Sequence, residues 1–182
     1  MEINNVRLFS NMDVRTYEPP TIRRAQVLSE AKTTIAGKTV FLSHSSVDDA
    51  IVPAVISFFA SFEASGYADD FDKRLPNPPS AITASILKSE IRKCPRFVVL
   101  TTPSSRTSRW IPWELGLADG YKGIPPNATL MFTPEGIVET WTKEQYFNLY
   151  PKIVNDNWNW VVTDPRGSAT WPLKQWLHTP LL

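Results

Sequence analysis

Apolar side chains recur at two spacings in this chain, and the spacing switches several times along its length. Ile22, Ala25, Leu28, Ala31 and Ile35 fall on one stripe at helical spacing, opened by Pro20 and closed by Gly37. Residues 1–18 show no period and read as a loosely docked arm. KTVFLS at 38–43 is a short β-prone run and gives strand A. His44, Ser45, Ser46 and Val47 form the loop after it, and Asp48 or Asp49 is placed to cap the next helix. Ile51, Val55, Phe58, Phe59 and Phe62 give that helix an apolar face, and Gly66 is expected to stop it. Residues 66–72 form a short strand B that runs into an acidic patch, followed by a proline-broken loop at 73–80.

The pattern then repeats. Residues 81–93 predict a helix with Ile82, Ile86, Leu87 and Ile91 inward, and residues 96–101 predict strand C. Phe97 to Leu100 is apolar throughout, which implies burial on both faces. A polar loop leads to Pro112, which opens a helix that Gly120 ends. Residues 128–133 give strand D, a helix is expected around 142–149, and residues 158–163 give strand E. DPRG at 164–167 is a turn, and Leu173, Trp176 and Leu177 pack from a last short helix. Strands alternate with helices from residue 38 onward, which argues for α/β architecture with right-handed crossovers. The expected fold is a flavodoxin-like five-stranded parallel sheet, order B-A-C-D-E, with helices on both faces. Residues 1–37 form an accessory arm and helix, and residues 38–182 form the domain proper.

Ligands of such sheets bind at the carboxyl ends of the strands, where strand order reverses. That switch point lies between strands A and C. Ser43, His44 and Ser45 leave strand A there, and the segment SRTSRWIPWELG at 105–116 follows strand C. It carries a single carboxylate, Glu114, at the start of a helix among Trp110, Ile111 and Trp113. Topology and local chemistry thus choose the same place.

Composition narrows the chemistry. The chain has 182 residues, 42% hydrophobic and 20% charged, enough for one domain with a real core. A net charge of +1 without a basic block argues against nucleic-acid partners. No apolar run approaches the ~20 residues of a membrane span, and the N-terminus lacks the features of a signal peptide, so no membrane partner and a cytoplasmic location are expected. One cysteine, Cys94, and two histidines argue against a disulfide framework or a metal site; Cys94 reads as a buried small side chain. No Walker or G-x-G-x-x-G sequence occurs, and the G-x-S-x-G elbow of a hydrolase is missing. Trp113 reads as core, whereas Trp110 reads either as core or as a ring open to stacking on a ligand. Asp69 and Asp70 read as a solvated edge and Asp72 as a residue that either joins that edge or lines the pocket.

Three segments in order resemble TIR (Toll/interleukin-1 receptor) domains. VFLSHSSVDD at 40–49 resembles their first sequence box, and YADDFDKRL at 67–75 their second strand and BB loop. FVVLT with SRTSRWIPWE resembles their third strand and the S-x-W-x-x-x-E motif of enzymatic members, with Ser108, Trp110 and Glu114 at its fixed positions. The likeness covers about residues 38–123, and its layout is most similar to bacterial stand-alone TIR proteins, including those of Thoeris-type antiphage systems. The BB loop departs from the family pattern, with PNPPS at 76–80 in place of a glycine-containing form.

The resemblance implies an enzyme that cleaves the nicotinamide–ribose bond of NAD+, with Glu114 as the catalytic glutamate. Ser43, His44, Ser45, Asp72 and Trp110 are the expected substrate-binding residues. NAD+ would be the substrate and no cofactor would be needed. The resemblance further implies self-association through TIR–TIR contact, and a downstream effector reached by a diffusible ADP-ribose-type nucleotide. Two other readings compete: a non-catalytic TIR scaffold, which needs no glutamate, and a nucleoside deoxyribosyltransferase of related fold, which also sets a glutamate against a sugar.

Overall fold

A computed structural model describes residues 39–69, 72–123, 128–132 and 148–179. The accessory helix expected before Gly37 and most of the helix expected around 142–149 lie outside these residues, as does Asp70.

The chain runs β1 (Val40–Ser43), α1 (Val52–Ala60), β2 (Gly66–Tyr67), α2 (Ala81–Lys93), β3 (Arg96–Thr101), α3 (Trp110–Lys122), β4 (Ala128–Phe132), β5 (Lys152–Asp156), β6 (Asn159–Thr163), β7 (Thr170–Pro172) and α4 (Leu173–His178). The strands form one sheet, order β2-β1-β3-β4-β5-β6-β7. Pairing is parallel from β2 across to β5 and antiparallel at β5–β6 and β6–β7. The α/β class and the order B-A-C-D of the parallel inner strands agree with expectation; the sheet has seven strands rather than five, β5 takes the fifth parallel place, and β6 and β7 add to it antiparallel. The segment expected as strand E is β6, which returns antiparallel from β5 through a tight hairpin. A two-residue connection permits only an antiparallel return, because a parallel one needs a crossover of a dozen residues or more.

The two central strands are buried on both faces. Val40, Phe41, Leu42, Phe97, Val98, Val99 and Leu100 are all fully inaccessible. Phe41 stacks on Phe97 with centroids 5.4 Å apart and meets Tyr67 of β2 at 5.1 Å. In α1, Val52, Val55, Phe58 and Phe59 are buried, and Phe58 packs edge-on against Trp160 of β6 at 4.7 Å. The tryptophan-rich tail thus closes the core from the antiparallel side.

Several local expectations are corrected. Helix α1 ends at Ala60 and turns through Glu63 at φ 63°, so Gly66 does not stop it. Gly66 instead begins β2, where an added Cβ would lie 3.2 Å from Ile56 Cγ1; the glycine allows strand and helix to approach. The α1 N-terminus lies at Ile51, without a side-chain cap from Asp48 or Asp49. Ile82 of α2 is 62% exposed. Thr83 takes the inward place there, because Ser80 and Thr83 form a reciprocal capping box that sets the helix phase. Helix α3 continues past Gly120 to Lys122 and ends at Gly123, whose φ of 72° suits glycine.

Candidate functional site

The strand order reverses between β1 and β3, because the chain leaves β1 for β2 on one side and returns to β3 on the other. Two loops meet above that point. After β1, His44 and Ser45 lead into a 3-10 turn, Ser46–Asp48. After β3, Thr102 opens a second 3-10 turn, Pro103–Thr107, with Ser105 completing a capping box. The loops are tied across the switch point by Thr102 Oγ1, which donates to Asp48 Oδ2 at 2.5 Å. Asp48 therefore works as a loop clamp, a role that no local sequence pattern announces.

Glu114 lies in the second turn of α3 and is 2% exposed. Ser43, the last residue of β1, donates its hydroxyl to Glu114 Oε2 at 2.5 Å. The helix begins at Trp110, two residues before Pro112, so Glu114 sits beyond the first turn where the helix dipole acts most strongly. The Ser43 bond, more than the dipole, fixes this carboxylate. Ser108 starts the helix: its Oγ accepts from the backbone N–H groups of Trp110 and Ile111, both at 3.3 Å. The serine of S-x-W-x-x-x-E thus caps the helix that carries the glutamate.

A cavity of about 380 Å³ opens beside these groups, lined by His44, Ser45, Ser46, Val47, Asp69 and residues 107–110. Three expected site residues, His44, Ser45 and Trp110, share it. Ser43 and Glu114 are not among the lining residues; their neighbour His44 and the indole one turn before Glu114 are. Trp110 is 37% exposed and meets Trp113 edge-on at 5.3 Å, while Trp113 packs against the core as expected. The His44 ring is almost wholly buried. Nδ1 lies 3.3 Å from Leu42 O and 3.7 Å from Asp69, and Nε2 lies 3.8 Å from Asp49. Asp69, read from sequence as a solvated edge, is half-buried and faces both the cavity and this ring.

Asp72 does not line the cavity: its backbone N–H donates to Asp69 O at 2.8 Å, but its carboxylate belongs to a different cluster. It accepts from Tyr67 Oη at 2.9 Å and from the Arg74 backbone N–H at 3.0 Å, and pairs with the Arg74 guanidinium. Arg74 also reaches the buried Glu90 of α2 at 3.1 Å, so the loop after β2 is pinned to that helix. Burial acts to raise the Asp72 carboxyl, but the hydrogen bonds from Arg74 and Tyr67 outweigh it and hold the group below its ordinary range. Burial pushes the Tyr67 phenol well up, and Asp72 adds to the shift. Sequence reasoning missed Arg109, Thr107 and Val47 as lining residues; Arg109 was within reach, as the cation inside the S-x-W triplet. Among the described residues no group of three or more His, Cys, Asp or Glu could hold a metal, and no helix is long and apolar enough to cross a membrane.

No protein-family model matches the chain. A curated relative does: the probable 3' cyclic ADP-D-ribose synthase ThsB' of Bacillus cereus (strain MSX-D12) is 30% identical over 116 residues. The match takes in 63% of this chain and 59% of the relative, so the chain spans well under two thirds of that protein's length. That match bears out the resemblance of this chain to Thoeris-like TIR proteins.

Proposed function

We propose that this protein cleaves the nicotinamide–ribose bond of NAD+ and makes an ADP-ribose-type signal for a downstream effector in antiphage defence. One observation carries the reading: a buried carboxylate, Glu114, is fixed by Ser43 where the two central strands end. The likeness to a probable cyclic ADP-D-ribose synthase supports the same chemistry and motivates a cyclic product.

The reaction suits a single acid. When the glycosidic bond breaks, its electron pair passes to the ring nitrogen and nicotinamide leaves as a neutral molecule. The ribose keeps the positive charge as an oxocarbenium-like cation. No general acid is needed for the leaving group, and one carboxylate beside the ribose stabilises the cation. Its field is strong because the group is nearly out of water. Trp110 offers a face for a planar base, and His44 and Ser45 offer hydrogen bonds at the same cavity. Water attacking the cation gives linear ADP-ribose; a ribose hydroxyl of the same molecule gives a cyclic product. Completion of the site by self-association, which the family resemblance implies, is part of the same proposal.

Incubation with NAD+ and chromatography of free nicotinamide tests the reading. Glu114→Gln should lower turnover by about 100-fold or more while the fold persists. An assembled wild-type preparation that releases no nicotinamide would overturn the enzymatic reading. Intact cellular function in Glu114→Gln would establish a scaffold instead. Mass spectrometry of the product separates linear from cyclic.

A further inference from the structure

We infer that Arg109 and the hydroxyl of Ser108 form a diphosphate subsite in the cavity, and so set a preference for dinucleotides over nicotinamide nucleosides. The inference deepens the NAD+ reading and rests on it for the identity of the substrate.

Charge around the cavity is uneven. Asp69 lines one part, and the ring of His44 there lies between Asp69 and Asp49, which makes that part unfavourable for an anion. The segment at 107–110 lines another part, and Arg109 is its cation. The Arg109 side chain makes no hydrogen bond or ion pair among the described residues, so its planar fork of donors is uncommitted. Arg74 and Arg96, by contrast, are engaged with carboxylates or carbonyls. A guanidinium binds phosphate oxygens through two parallel N–H bonds, which a lysine cannot reproduce.

Ser108 supplies the second donor. Its oxygen already accepts two backbone N–H groups at the start of α3. Those bonds use the oxygen lone pairs and leave the hydroxyl proton to be donated elsewhere, with the cavity beside it. The same capping bonds fix the backbone on both sides of Arg109, and Ser108 N–H is held by Ser105 O at 3.2 Å. Arg109 therefore projects from an ordered position next to Trp110. A substrate stacked on Trp110 would bring its phosphates to residues 108 and 109.

The test compares wild type with Arg109→Gln, an exposed position where the change leaves the core untouched. Affinities for ADP-ribose and for adenosine are measured by titration calorimetry, and kcat and KM for NAD+ by nicotinamide release. The subsite predicts that Arg109→Gln weakens ADP-ribose by about tenfold or more, leaves adenosine unchanged, and raises KM for NAD+ with little change in kcat. Equal ADP-ribose affinity in the two proteins, or no binding by wild type, overturns the subsite. Wild-type binding of ADP-ribose that Arg109→Gln weakens, without any turnover of NAD+, would keep the subsite and sink only the enzymatic reading.

Discussion

Ser43 and Glu114 lie 71 positions apart and meet through one hydroxyl–carboxylate bond, with both groups nearly out of water. Removing that donor leaves a buried charged acceptor short of a partner. Ser43→Ala should therefore cost about 2 kcal/mol of stability in urea unfolding, and should lower kcat for NAD+ by loosening the carboxylate. An unchanged unfolding midpoint would show that the bond does not hold Glu114. Asp72 makes a second prediction at this scale. Its folded-state titration lies below the unfolded one, so the stability it adds is fully present above the unfolded value of about 3.9 and is lost as pH falls through the folded value. Asp72→Asn should reduce stability at pH 7 by about 1–2 kcal/mol and flatten its decline below pH 4. Unfolding midpoints across pH 3 to 7 check both parts; parallel curves for the two proteins would remove Asp72 from the acid response.

Elements show where sequence pattern suffices and where it fails. Strand β3 was legible because an unbroken apolar run has no other stable fate than burial on both faces. Glu114 was legible because its motif is local, whereas the clamp from Thr102 to Asp48 joins loops 54 positions apart and leaves no local trace. Strand β5 was missed because Pro151 precedes it and Asn155 and Asp156 end it, which hides the short apolar pair Ile153 and Val154. The hairpin after it was hidden for a related reason. Its turn residues, Asn157 at φ 47° and Trp158 at φ 69°, occupy the left-handed region, yet no glycine marks it. Asn155 Oδ1 accepts from the Trp158 N–H at 3.0 Å and holds the turn. A bulky residue there is strained, and the Trp158 side chain is 77% exposed, so little packing would be lost on removing it. Trp158→Gly creates an Asn-Gly turn and should raise stability by about 1 kcal/mol, read as a higher midpoint in urea. A lower midpoint would mean that the indole packs usefully despite its exposure.

Across the whole molecule, the two ends of the central strands carry different duties. The carboxyl ends hold Ser43, the Asp48–Thr102 tie and Glu114, around which the proposed site is built. At the opposite end, Arg96 begins β3 in register with Val40 and is 4% exposed. Its Nε donates to Trp176 O at 2.6 Å, its Nη2 to Thr179 O, and its guanidinium lies over the Trp176 ring at 5.1 Å. This cation satisfies carbonyls at the end of α4, which the helix itself cannot pair, and docks the tail against the central sheet. Burial lowers the Arg96 pKa, yet an arginine keeps its charge at neutral pH. Arg96→Ala strands those carbonyls and loses the stacking, so it should lower stability by about 3 kcal/mol. Because Arg96 stands at the far end of β3 from Glu114, kcat for NAD+ should stay at the wild-type value wherever the variant is folded. Urea unfolding combined with nicotinamide release below the transition separates the two effects. A large fall in kcat with native stability would place Arg96 in communication with the site and contradict this division between the ends of the sheet.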